Sequence, residues 1–204
     1  MLFDDTYKTI STPAEGIFRD RGSRFIGFIY PVNSQEEITA KLNELRKEHH
    51  GARHHCYAWR LGADGAAFRA NDDGEPSGTA GKPIYNQILS AEITNVLIVV
   101  VRYFGGTLLG VSGLINAYKQ AAIEAIGNAE IIEKQIMEMY SLQFEYAAMN
   151  DVMKILKDHE LKQWNQNFGL DCSLEFSVRK SDADAVTELL RNTETVKIDW
   201  LSTN

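Results

Sequence analysis

Two glycine-rich segments flank one apolar run, and both carry residue types suited to holding an anion. The first is Asp72-Asp73-Gly74-Glu75-Pro76-Ser77-Gly78-Thr79-Ala80-Gly81-Lys82-Pro83 and the second Arg102-Tyr103-Phe104-Gly105-Gly106-Thr107-Leu108-Leu109-Gly110. Each leads into a stretch with helical periodicity. A helix start exposes unpaired N–H groups and the positive end of the peptide dipoles, so two starts near one strand end would cradle a phosphate or carboxylate. In that reading Gly78, Thr79, Gly81, Gly105 and Gly106 form the cradle, and Arg53, Lys82 and Arg102 supply charge. His54 or His55 would act as general acid or base.

Asp72, Asp73 and Glu75 place three carboxylates within four residues. Asp73 with Glu75 would suit Mg²⁺, the one cofactor these residues suggest, although Asp and Gly beside Pro76 also make an ordinary tight turn. Zinc fits poorly at Arg53-His54-His55-Cys56, because consecutive strand residues face opposite ways and no C-x-x-C pair completes a site. Neither loop has the spacing of a P-loop or of a dinucleotide fingerprint, and no G-x-S-x-G elbow is present.

The elements that must position these residues are legible from pattern. Strands are expected at residues 7–11, 16–21 and 25–32, followed by a helix from the capping box Ser34-Gln35-Glu36-Glu37 to about His50. Residues 56–61 and 66–70 read as a hairpin across Gly62-Ala63-Asp64-Gly65. Thr79 is expected to cap a helix over residues 80–91, with Pro83 in its first turn. Residues 95–102 are apolar throughout and predict a central strand covered on both faces, and a helix follows over 112–127. The tail repeats itself at an offset of 34 positions. Leu142 and Phe144 map onto Phe176 and Val178, and Val152, Ile155 and Leu156 onto Val186, Leu189 and Leu190. With strands at 161–168 and 195–201, this predicts a ferredoxin-like βαββαβ domain. The fold class expected is α+β in two domains, 1–135 and 136–204.

Charge limits the partners. The chain of 204 residues carries a net −7, nearly all of it after residue 127, where 8 Lys and Arg face 14 Asp and Glu. Non-specific nucleic-acid binding needs the opposite sign, so DNA is not expected and any RNA contact must be local. The best basic cluster is Arg19, Arg21 and Arg24, with Arg53, His54 and His55 near it. The longest apolar run, Val96 to Val101, is far short of a membrane span. The opening Met1-Leu2-Phe3-Asp4-Asp5 lacks the pattern of a secretion signal, and Cys56 and Cys172 read as reduced core thiols, so a cytoplasmic setting is expected.

The Arg53–Cys56 segment, the Asp72–Pro83 loop and the run from Val100 to Gly110 together resemble the signature of the IMPACT family of YigZ type, and the likeness covers nearly the whole chain. The resemblance implies an amino-terminal domain similar to the second domain of a small-subunit ribosomal protein and a carboxy-terminal one similar to the last domain of elongation factor G. It also implies a role in translational control, to which eukaryotic relatives are linked through a kinase of an initiation factor. This chain begins almost directly with the IMPACT domain, which points to a bacterial setting rather than the kinase pathway. Two functions stay open. One is a non-enzymatic regulator of translation or stress response that binds RNA, the ribosome or a translation-related protein. The other is an enzyme or sensor for a small phosphorylated or carboxylated ligand held between the loops.

Overall fold

The computed structural model describes residues 5–203. Met1–Asp4, within the opening inspected for a secretion signal, lie outside them. The chain is a mixed α/β protein in two units, one of residues 7–134 and one of residues 135–203 that takes in Asp5 and Thr6.

In chain order the first part runs β1 (Thr6–Ile10), β2 (Ala14–Asp20), β3 (Ser23–Pro31), α1 (Gln35–Glu48), β4 (His54–Leu61), β5 (Ala67–Asn71), α2 (Gly81–Ser90), β6 (Val96–Tyr103), α3 (Gly110–Gly127) and β7 (Ile131–Gln135). Five strands form one sheet in the order β2-β3-β6-β4-β5, each pair antiparallel. The apolar run is its middle strand, and Val96 through Val101 are wholly buried. Alternation divides it between two cores. Leu97, Val99 and Val101 pack under α1 with Ile38, Leu42 and Leu45, while Val96, Ile98 and Val100 pack under α2 and α3 with Ile84, Ile88, Leu114 and Tyr118. Each such side chain contributes about 1.5–3 kcal/mol, so this strand anchors both layers.

Ser34 caps α1 as its sequence indicates, accepting from the Glu37 amide at 3.2 Å, and the Glu37 carboxylate accepts from the Asn33 amide at 2.8 Å. Two features differ from expectation. Helix α3 begins at Gly110 rather than residue 112, and β1 pairs with β7, a strand whose mixed Ile-Ile-Glu-Lys-Gln sequence gives no clean periodicity.

The second unit contains β8 (Met137–Glu145), α4 (Met149–Asp158), β9 (Lys162–Phe168), β10 (Asp171–Arg179), α5 (Ala183–Arg191) and β11 (Lys197–Thr203). Its sheet is antiparallel in the order β11-β8-β10-β9. The repeat in the sequence becomes a paired core, because Leu142, Phe144, Val152 and Leu156 are buried together with Phe176, Val178, Val186 and Leu190. The Ile155–Leu189 match is looser, with Ile155 at the core margin and Leu189 47% exposed.

The start of α2 departs most from the sequence reading. Thr79 does not cap it; its hydroxyl donates to the Pro76 carbonyl at 2.6 Å. The cap is Asp72, whose Oδ1 accepts from the Ala80 and Gly81 amides at 3.0 and 2.8 Å and whose Oδ2 accepts from the Gly78 amide at 2.9 Å. Burial raises the Asp72 pKa, but the amides of Gly78, Gly81 and Ala80 more than reverse this and hold it below the ordinary aspartate value. A depressed folded pKa stabilises the protein fully above the unfolded value of about 3.9, and the contribution disappears as pH falls through the folded value. Asp72→Ala should therefore cost about 2 kcal/mol at neutral pH. Asp72→Asn, which keeps one oxygen for Ala80 and Gly81, should cost about half as much. In urea titrations the gap between wild type and either variant should narrow as pH drops below 4.

Candidate functional site

Register along the central sheet sorts the site residues into two cross-strand rows. On the α2 and α3 side, Phe18, Phe25, Arg102 and His54 stand directly opposite one another in turn; on the other side Arg19, Arg24 and Tyr103 do the same. His54 and His55 accordingly face opposite ways, as strand alternation requires.

The first row is closed. Arg102 Nη1 donates to Glu75 Oε1 at 2.6 Å, and the Tyr118 hydroxyl donates to the same oxygen at 2.7 Å, with Arg102 and Glu75 both buried. The guanidinium lies 5.5 Å from the ring centroids of both Phe25 and Phe104. Burial pushes the Tyr118 hydroxyl pKa far upward, with Cys56 and Glu75 adding to the effect, so it stays a donor. Burial likewise raises the Cys56 thiol, whose Sγ donates to the Asp72 carbonyl at 3.0 Å. Cys56 is an inert core thiol.

Asp73 is also committed. Its Oδ2 accepts from the His55 amide at 2.7 Å, its Oδ1 meets Arg46 at 3.5 Å, and its carbonyl accepts from His54 Nδ1 at 2.9 Å. Since a carbonyl only accepts, His54 carries its proton on Nδ1. Burial lowers the His55 pKa against the opposing pull of Asp73, so the ring sits neutral beneath α1, with Nε2 buried and lacking a partner among the described residues.

These contacts correct the sequence reading of the loops. The Gly78 and Gly81 amides assigned to an outside anion are bonded to Asp72, and the Gly105 amide donates to Ser23 Oγ at 3.1 Å. Gly81 and Gly105 answer to backbone packing, because a Cβ there would collide with Asn71 and Gly22 respectively. Gly106 stands in a left-handed turn with open space around it. Arg53 and Lys82 are exposed. Mg²⁺ would have to compete with Arg46 and the His55 amide at Asp73, with Arg102 and Tyr118 at Glu75 Oε1, and with three N–H groups at Asp72.

What stays open is the second row. Arg19, Asp20, Arg21, Gly22, Ser23, Arg24, Tyr103 and Phe104 line a concavity of about 470 Å³. Arg24 lies 4.7 Å above the Tyr103 ring, and the Tyr103 hydroxyl meets His49 Nδ1 at 2.9 Å. Arg19, Arg21 and Arg24 make no ion pair among the described residues. The sequence grouped Arg53, His54 and His55 with them, but these three do not line the concavity. It missed Tyr103 and Phe104 as partners of the arginines, and Tyr118 as the partner of Glu75. Strand register, rather than any motif, brings Arg19, Arg24 and Tyr103 together.

Removing one member of the buried pair leaves the other charge stranded. Glu75→Ala should cost about 3–5 kcal/mol, and Tyr118→Phe, which removes one hydrogen bond to a carboxylate, about 1.5 kcal/mol, both by urea denaturation. The double variant should cost less than their sum, because both act on one oxygen.

Comparison with known proteins converges on one family. Residues 21–126 match the model of the Impact N-terminal domain. Over 194 residues the chain is 28% identical to IMPACT family member YvyE of Bacillus subtilis, covering 95% of this chain and 89% of that protein. Over 160 residues it is 35% identical to IMPACT family member YigZ of Escherichia coli, covering 78% of each. A crystal structure of a hypothetical protein superposes with a TM-score of 0.76 at 29% identity, over 97% of this chain and 98% of that one. On the strength of its sequence match and the relatives that span most of its length, the chain belongs to the IMPACT family.

Proposed function

We propose that the chain is a non-enzymatic binding protein acting on translation or a stress response, and that it meets RNA at the concavity formed by the β2–β3 turn. The observation that carries this is the charge of Arg19, Arg21 and Arg24 around that turn, with which no carboxylate among the described residues forms an ion pair. Arg19 and Arg24 are direct cross-strand neighbours, and like charges so placed cost folding energy. Arg21 and Gly22 hold φ at 44° and 80°, the backbone of a two-residue type I′ hairpin, in which Asn or Gly is the comfortable first residue. Arginine there costs about 1 kcal/mol. Cost accepted at one exposed spot is a mark of a functional constraint, and phosphate is the partner that would relieve it.

The net charge of −7 is compatible with this reading because the contact is confined to one turn. The translational control to which the family resemblance points supports the same direction. We read the second unit as ferredoxin-like, supported by its βαββαβ order with β8 and β10 in the middle of the sheet. A cytoplasmic setting fits the two free, buried thiols. An anion-binding enzyme is the weaker reading, since Asp72 already holds the Gly78 and Gly81 amides and Glu75 already holds Arg102, all groups it would use.

Arg21→Asn separates fold from function. The fold should gain about 0.5–1 kcal/mol by urea denaturation, while RNA binding weakens and its log–log salt slope falls by about 0.7–1. Should wild type bind RNA no more tightly than an unrelated acidic protein, the RNA contact is wrong.

A further inference from the structure

Phe104 lines the same concavity, follows β6 directly, and is 54% exposed. A half-exposed phenylalanine is common, but this one is backed. The Arg102 guanidinium lies over one face of the ring, and is itself fixed by Glu75 and through it by Tyr118. The neighbouring Gly105 packs tightly against Gly22, with its amide on Ser23. The ring therefore stands on a held support, half exposed, in the concavity that the arginines also line. Tyr103 offers no equivalent platform, because its ring packs against the core under α1, Arg24 lies over it and His49 engages its hydroxyl.

We infer that this site takes single-stranded RNA, with one unstacked base lying on the free face of Phe104 and the adjoining phosphates on Arg19 and Arg21. The inference rests on the RNA contact proposed above and adds to it the strandedness of the ligand. A duplex buries its base faces in its own stack, so it could use the arginines but not the ring. A base freed from stacking uses both, and every base has the π-face required, so the contact should tolerate sequence variation. Glu75, Arg102 and Tyr118 are positioning residues here: they hold the platform and touch no RNA.

The test is fluorescence anisotropy of the intact chain with a short labelled oligo(U) and with duplex RNA of the same length. Phe104→Ala should weaken oligo(U) binding about ten-fold, leave its salt slope unchanged and leave duplex binding unmoved. Phe104→Trp should bind oligo(U) at least as tightly as wild type. Because the side chain is exposed, circular dichroism should report an unchanged fold. If Phe104→Ala binds oligo(U) like wild type while Arg21→Asn weakens it, the stacking role is overturned and the RNA contact stands. Equal loss on oligo(U) and duplex also overturns the stacking role. If wild type binds neither RNA, both proposals fall together.

Discussion

Two carboxylates from a single loop, Asp72 and Glu75, neutralise the positive groups that the fold gathers at one end of its central sheet. Asp72 takes the amides at the start of α2, and Glu75 takes the Arg102 guanidinium and the Tyr118 hydroxyl. Buried donors left without acceptors are costly, and a buried guanidinium without an anion more so. The loop can therefore close only in the arrangement that delivers both carboxylates inward, and that closure ties α2, β6 and α3 to one another. Its glycines provide the tight backbone such a path needs.

This internal neutralisation divides the basic residues of the unit into two kinds. Positive charge that has a partner inside the protein is not offered to a ligand. The arginines at the β2–β3 turn are different: register sets two of them side by side, a strained turn presents the third, and no carboxylate of the described residues pairs with them. The structure thus separates two kinds of basic residue that look alike in a sequence. Arg102 supports, whereas Arg19, Arg21 and Arg24 present.

Much of the fold was legible because it follows local rules. The apolar run read as a covered central strand, the capping box opened α1 where expected, and the offset repeat in the tail marked residues that share one core. The site was harder to read. A glycine-rich turn before a helix looks the same whether an external phosphate or an internal aspartate caps it, and only the path of the loop back onto its own amides tells the two apart. Asp72 was visible as one of three carboxylates, but its partners lie six to nine residues further on, beyond ordinary capping spacing. Cross-strand neighbours such as Arg24 and Tyr103 are separated by most of the unit and carry no sequence signal at all. The strand β7 carries no strand signal, because its residues are largely exposed and lack period-two alternation.

The allocation of charge is open to one direct measurement, amide chemical-shift mapping of the ¹⁵N-labelled chain titrated with single-stranded RNA. Saturable shifts are expected at Arg19, Arg21, Gly22, Arg24 and Phe104, while the amides of Gly78, Ala80 and Gly81 stay where Asp72 holds them. Shifts concentrated at Gly78–Gly81, with the β2–β3 turn unmoved, would mean that an outside anion displaces Asp72 and that the glycine loops, not the arginine turn, are the binding site.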